Sequence, residues 1–142
     1  MSRGVPARLV LSSQVLQRLL FVTDELDALC GMLPGTEFFV AESSWGAVSG
    51  WIDRCALSLQ LHDEVVQEMR ETLTAMSALV TVIPEQFIRP YYSAFPEANR
   101  IGQVLQSCAL ASMVDAPIWV MKEGFPKIDG AQLWVLPAKL NG

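Results

Sequence analysis

Apolar residues are abundant in this chain, but they never form a long uninterrupted run. They make up 51% of the 142 residues, whereas charged residues make up 18%. Apolar runs such as residues 19–22 last only a few residues, and a helix that spans a membrane needs roughly 20. The apolar residues recur instead at helical and strand periods. This pattern predicts a folded domain with more apolar surface than one small core needs, and therefore association with itself or with a partner.

The length and charge of the chain restrict the number of domains and the kinds of binding partner that we expect. We expect one domain over residues 1–142, with residues 1–7 as a flexible N-terminal tail. A formal net charge of -5 disfavours nucleic acid and acidic membrane surfaces, because both bind clusters of basic residues. Three widely spaced cysteines do not predict a disulfide framework, and no signal-peptide pattern follows Met1, so we expect a cytoplasmic protein.

Four stretches carry apolar residues at the three- and four-residue spacing of an amphipathic helix. The second contains Gly46 and Gly50, and since each costs up to about 1 kcal/mol in a helix, we expect another backbone to approach there; a loop is the alternative. A short helix over residues 85–89 is also predicted. The four helices begin at Ser12 or Ser13, at Ser43 or Ser44, at His62 or Asp63, and at Pro96 or Glu97; Pro34 ends the first and Pro84 the third.

Strand patterns lie near both ends of the chain. Residues 8–11 are a possible first strand, and residues 36–42 form a strand with apolar side chains on both faces. Residues 117–121 and 131–136 are separated by turn residues and predict a C-terminal β-hairpin. The predicted fold is therefore α+β, with three or four amphipathic helices packed on a small, mostly antiparallel sheet.

No residue pattern in the chain predicts a catalytic site. His62 is the single histidine, so a Ser-His-Asp triad or a metal site with an imidazole ligand would have to use this one side chain. The glycine-rich loops that hold phosphate and the Gly-x-Ser-x-Gly turn of hydrolases are also missing. We therefore predict no catalytic residue, no metal and no cofactor.

Residues 89–103 are the most unusual stretch. They place two arginines, two tyrosines and an asparagine around a predicted helix start, and free N–H groups at such a start suit an anion. The candidate ligand-binding residues are Arg89, Tyr91, Tyr92, Asn99 and Arg100.

Part of this stretch resembles a known family. Residues 95–97, Phe-Pro-Glu, and 99–102, Asn-Arg-Ile-Gly, are similar to the core loop of Fic-domain AMP transferases, His-Pro-Phe-x-acid-Gly-Asn-Gly-Arg. Ser93 stands in place of the catalytic histidine and Ala98 in place of the first glycine, while the second glycine is missing. The resemblance thus implies loss of the histidine-dependent activity. We favour a tyrosine-rich structural joint, with Arg100 in a surface ion pair, over a pocket.

Tryptophans form a second pattern. Trp45 lies on the glycine-bearing helix, and Trp119 and Trp134 would meet across the predicted hairpin. Because aromatic residues are enriched at protein interfaces, these three are candidate interface residues; the alternative is that each is a core residue.

The preferred function is that of a non-enzymatic protein-binding or regulatory accessory protein. We expect it to be a homodimer that acts by protein–protein contact, with another protein, with itself, or with both. The alternative is a protein or enzyme that binds an anionic small molecule or nucleotide in a pocket around residues 89–100.

The apolar excess makes self-association the first testable expectation. Light scattering at micromolar protein concentration should give at least twice the 15.6 kDa mass of one chain. A clean monomer throughout a dilution series would remove this argument for an association surface.

Overall fold

A five-stranded sheet in which every strand is parallel to its neighbours forms the centre of the structure. The computed structural model describes residues 7–21, 35–98, 104–120, 128 and 130–135, without the side chains of Phe21, Glu97, Trp134 and Val135. The strands are β1 (Arg8–Leu11), β2 (Glu37–Ala41), β3 (Val80–Ile83), β4 (Ile118–Val120) and β5 (Leu133–Val135), in the spatial order β3-β2-β1-β4-β5.

Five α-helices are described between these strands. They are α1 (Ser13–Phe21), α2 (Glu42–Ser58), α3 (Asp63–Ser77), α4 (Glu85–Ile88) and α5 (Val104–Val114). Two 3-10 helices, Arg89–Ala94 and Pro96–Ala98, connect α4 with the segment before α5. None of the described helices is long and apolar enough to cross a membrane.

The mixture of helices and strands agrees with the prediction, but the antiparallel sheet and the C-terminal hairpin are wrong. β4 and β5 are neighbours, yet they run parallel, with Trp119 opposite Trp134. Parallel neighbours need a connection of about a dozen residues, and residues 121–132 provide that length. The apolar residues on both faces of these runs are typical of parallel strands, which are covered on both sides.

Two local predictions are also corrected. The predicted third helix continues to residue 83, whereas α3 ends at Ser77 and residues 80–83 form β3, because the β-branched run Val-Thr-Val-Ile favours a strand. The helical prediction around Gly46 and Gly50 is confirmed, but the expected backbone approach is wrong. Among the described residues, no neighbouring atom lies within 4 Å of the position that a Cβ would take at Gly46, and at Gly50 only the guanidinium of Arg54 does, at 3.4 Å.

Other predictions are confirmed where the structure describes them. The first strand occupies residues 8–11, and Ser12 caps α1, since the Val15 N–H donates to Ser12 Oγ at 3.4 Å. Where the fourth helix is predicted to begin, at Pro96 or Glu97, the structure has the short 3-10 helix Pro96–Ala98, and α5 is described from Val104. The predicted continuation of the first helix to residue 33 and the tail over residues 1–6 lie outside the described residues.

Alternation along β1 divides the core into two halves. Leu9 and Leu11 face the helices α1, α2 and α3, while Val10 faces α5 on the other side of the sheet. All three side chains are buried. The central strand therefore contacts both layers of helices, and the sheet forms the middle of a three-layer arrangement.

Trp119 on β4 is the largest completely buried side chain among the described residues. Its ring stacks on that of Phe38 on β2, with the centroids 6.2 Å apart, so the two rings pack across β1 on one face of the sheet. Aromatic rings prefer an offset arrangement at this distance, so the pair adds stability beyond that of the apolar area it buries.

Replacement of Trp119 by alanine tests this core. The variant should lose about 3–5 kcal/mol in the free energy of unfolding, because it leaves a large cavity under the sheet. Urea unfolding followed by circular dichroism would measure the loss. Leu57→Ala is the control, since the Leu57 side chain is 83% exposed and should change stability by no more than about 0.5 kcal/mol. Equal losses in both variants would contradict the packing described here.

Candidate ligand site at the carboxyl edge of the sheet

The strand order reverses direction beside β1. From β1 the chain proceeds to β2 and β3 on one side, and it later places β4 and β5 on the other. In open parallel sheets, ligands bind outside the carboxyl ends of the strands at the point where the order reverses. The candidate ligand site is therefore the carboxyl end of β1, on the side of its neighbour β4.

Several helices begin at this edge. α1 starts two residues after β1, α2 starts directly after β2, and α4 starts two residues after β3. Helix α5 is oriented by its other end, where the carbonyl of Val114 accepts a hydrogen bond of 3.1 Å from Arg8 at the beginning of β1. Because that end lies at the amino edge of the sheet, the first turn of α5 lies at the carboxyl edge.

The starts of α1 and α2 differ in how their backbone N–H groups are satisfied. Ser12 caps α1 with its hydroxyl, whereas α2 begins after Ala41 without any side-chain cap. The first N–H groups of a helix have no partner within the helix, and they carry the positive end of its dipole. An uncapped start beside the central strand therefore favours a hydrogen-bond acceptor or an anion.

Buried oxygens without a partner occur at the same edge. Ser13 Oγ, Ser43 Oγ, Glu85 Oε1 and Gln106 Oε1 are enclosed and form no hydrogen bond within the described structure. Each belongs to the first turn of a helix that starts at the carboxyl edge. A buried polar group left unsatisfied costs about 1–3 kcal/mol, so four of them at one edge require an explanation.

Two carboxylates define the outer side of this edge. Glu42, at the start of α2, accepts a hydrogen bond of 3.2 Å from the backbone N–H of Glu85 at the start of α4. The Glu42 carboxylate thus ties the ends of β2 and β3 together and introduces negative charge there. The anion-favouring part of the edge is therefore the inner part, near β1 and the first turn of α5.

The predicted ligand-binding residues are only partly described. The 3-10 helix Arg89–Ala94 packs against α5, with Arg89 and Tyr91 exposed and Tyr92 partly buried. The hydroxyl of Tyr92 is enclosed without a hydrogen-bond partner, which adds a fifth such oxygen. Asn99 and Arg100 lie outside the described residues. The choice between a pocket and a structural joint therefore stays a prediction, and the structure places its described part next to α5.

The candidate interface tryptophans occupy different environments. Trp119 is completely buried in the core, as the alternative interpretation of the sequence expects. Trp45 is partly buried at the beginning of α2, and the side chain of Trp134 lies outside the described residues. An interface role for Trp45 and Trp134 stays a prediction.

The described cysteines and His62 provide no catalytic arrangement. Burial raises the pKa of the Cys108 thiol to about 11, so the reactive thiolate is disfavoured at neutral pH. Cys55 is also buried, and His62 is exposed in front of α3. Within the described ranges, no three His, Cys, Asp or Glu side chains lie close enough to hold a metal ion.

Sequence reasoning missed most of this site. It identified Ser12, Ser13 and Ser43 as helix starts, but it assigned them no binding role. A signal was present, because serines and an acidic residue follow directly after the apolar runs at residues 9–11 and 38–41. That signal becomes meaningful only when the strands are known to be parallel, so that their carboxyl ends share one edge.

Comparison with known proteins assigns no family to this chain. No protein family matches the chain, and no curated protein is similar enough to match it. The short resemblance to the Fic core loop therefore gains no support from a wider match, and the site has to be judged from its own geometry.

A pair of serine variants tests whether the buried hydroxyls are unsatisfied in the fold. Ser43→Ala should leave the free energy of unfolding unchanged or raise it, because it removes a buried oxygen that has no partner. Ser12→Ala should lower it by about 0.5–2 kcal/mol, because it removes the cap of α1. Urea unfolding of both variants measures the difference. An equal loss in Ser43→Ala would show that its hydroxyl has a partner in the folded chain.

Proposed function

We propose that the protein binds a small anionic ligand, such as a nucleotide or a carboxylate metabolite, at the carboxyl edge of the sheet. The observation that supports this proposal best is the pair of buried hydroxyls without partners, Ser13 Oγ and Ser43 Oγ, at helix starts that follow β1 and β2, beside the point where the strand order reverses. The anion would accept hydrogen bonds from the hydroxyls of Ser13 and Ser43 and from the uncapped N–H groups at the start of α2, where the Glu42 carboxylate accepts a hydrogen bond from the backbone N–H of Glu85 instead.

The chemistry of the edge favours binding over catalysis in this proposal. Serine hydroxyls and the amide of Gln106 donate and accept hydrogen bonds, but they do not act as bases near neutral pH. The carboxylates Glu42 and Glu85 lie on the outer side, where Glu42 already accepts a backbone hydrogen bond. We place this function in the cytoplasm, where the buried free thiols of Cys55 and Cys108 would remain reduced.

A second candidate function, that of an accessory protein that contacts a different protein and not a second copy of this chain, rests on a different surface. Leu57 and Leu59, at the end of α2, are largely exposed beside a cleft of about 660 Å³ that includes Trp51 and Arg54. Contiguous exposed apolar surface of this kind marks interaction sites more often than single exposed residues do.

Thermal-shift measurements against nucleotides, anionic metabolites and inorganic phosphate test the ligand proposal. One compound should raise the melting temperature of the wild-type protein, and saturation at 100 times its dissociation constant is worth about 2.7 kcal/mol. Ser43→Ala and Ser13→Ala should reduce that shift without loss of folding.

Ser112→Ala is the matched control for these variants, because Ser112 is an exposed serine near the end of α5 at the opposite edge. It should retain the full shift. Equal reduction in all three variants would contradict the site, and no shift with any compound would leave protein contact as the better proposal.

A further inference from the structure

The strand β3 forms the outer edge of the sheet next to β2. Its neighbour β2 is more enclosed, with Phe38, Val40 and Ala41 buried. By contrast, Val80, Val82 and Ile83 of β3 are only partly buried, although they contact the two halves of the core. The outer backbone N–H and C=O groups of β3 pair with no other strand of the described sheet. An open edge of this kind is a template for another strand.

β3 has few of the features that natural proteins use to keep open sheet edges from pairing. Edges are usually blunted by charged side chains, by proline within the strand or by a bulge. Residues 72–84 contain no charged residue, and Pro84 follows the strand without interrupting it. In a chain with a net charge of -5, this uncharged run provides a surface where two copies can approach without direct repulsion.

Exposed large apolar side chains precede and follow β3 along the chain. Leu79, directly before β3, is 44% exposed, and Phe87, on the helix that follows β3, is 54% exposed. When two such strands pair antiparallel about a two-fold axis, the beginning of one lies beside the end of the other. The two leucines then approach the two phenylalanines, and both ends of the edge lose water-exposed apolar surface.

We propose that a second copy of this chain pairs with β3 antiparallel, so that two five-stranded sheets join into one continuous sheet of ten strands. The proposal is independent of the ligand site, which lies at the ends of the strands. It assigns a specific surface to the expected self-association, and two-fold symmetry is the commonest arrangement of such assemblies.

The small size of this surface predicts a weak dimer. A stable interface buries about 800 Å² on each partner, and a four-residue strand with two flanking apolar side chains provides less. We therefore expect a dimer that dissociates on dilution through the micromolar range. Its concentration dependence is part of the proposal.

Two leucine variants with the same change in charge test the interface. Leu79→Glu should shift the monomer–dimer equilibrium by tenfold or more toward monomer in sedimentation or light scattering, because it places two buried carboxylates beside the paired strands. Leu57→Glu is the matched control, since Leu57 is also an exposed leucine but belongs to α2 and not to the edge. It should retain the wild-type equilibrium.

Hydrogen exchange of the wild-type protein provides a measurement that does not depend on any variant. The amides of β3 should exchange more slowly at concentrations where the dimer forms, while the amides of α2 should not change. A wild-type monomer up to high micromolar concentration would overturn the proposal. So would dissociation caused by Leu57→Glu and not by Leu79→Glu, or exchange in β3 that is independent of concentration.

Discussion

Pairing of β1 with parallel neighbours on both sides is the constraint on which the rest of the structure depends. The register joins Val10 to Phe39 on β2 and to Ile118 on β4, so both sides of the strand are hydrogen-bonded. A strand that is enclosed in this way has no wet face, and helices must cover the sheet above and below. The positions of α1, α2 and α3 on one face and α5 on the other follow from this requirement.

Local patterns predicted the elements better than their arrangement. The short strand at residues 8–11, the serine cap that follows it and the apolar stripe of α2 depend on neighbouring residues and were identified correctly. Whether Trp119 and Trp134 belong to antiparallel or parallel strands depends on the path of residues 121–132, and turn residues in that segment favoured the wrong choice. The candidate site at Ser13 and Ser43 was missed for the same reason, because it exists only where parallel strands end together.

The buried oxygens at the carboxyl edge illustrate a conflict between folding and function. A core made only for stability would replace Ser43 and Gln106 with apolar residues, since their unsatisfied oxygens lower the free energy of unfolding. Positions that break a local rule of this kind are concentrated at functional sites. The hydrogen bond from the Glu85 N–H to the Glu42 carboxylate stabilises the outer part of the same edge. The inner part keeps hydrogen-bonding groups without partners.

The pairing of Val10 with Ile118 also has a consequence for the order in which the chain can fold. These residues are separated by about a hundred positions, so β1 waits for β4 while nearly the whole chain is synthesised. At a synthesis rate of about 5–20 residues per second, the edge of β1 that pairs with β4 remains without its partner for roughly 5–20 s. Non-local parallel pairing is slow to form, and unpaired apolar strands aggregate. Nascent chains of this protein should therefore depend on chaperones more than the finished domain does.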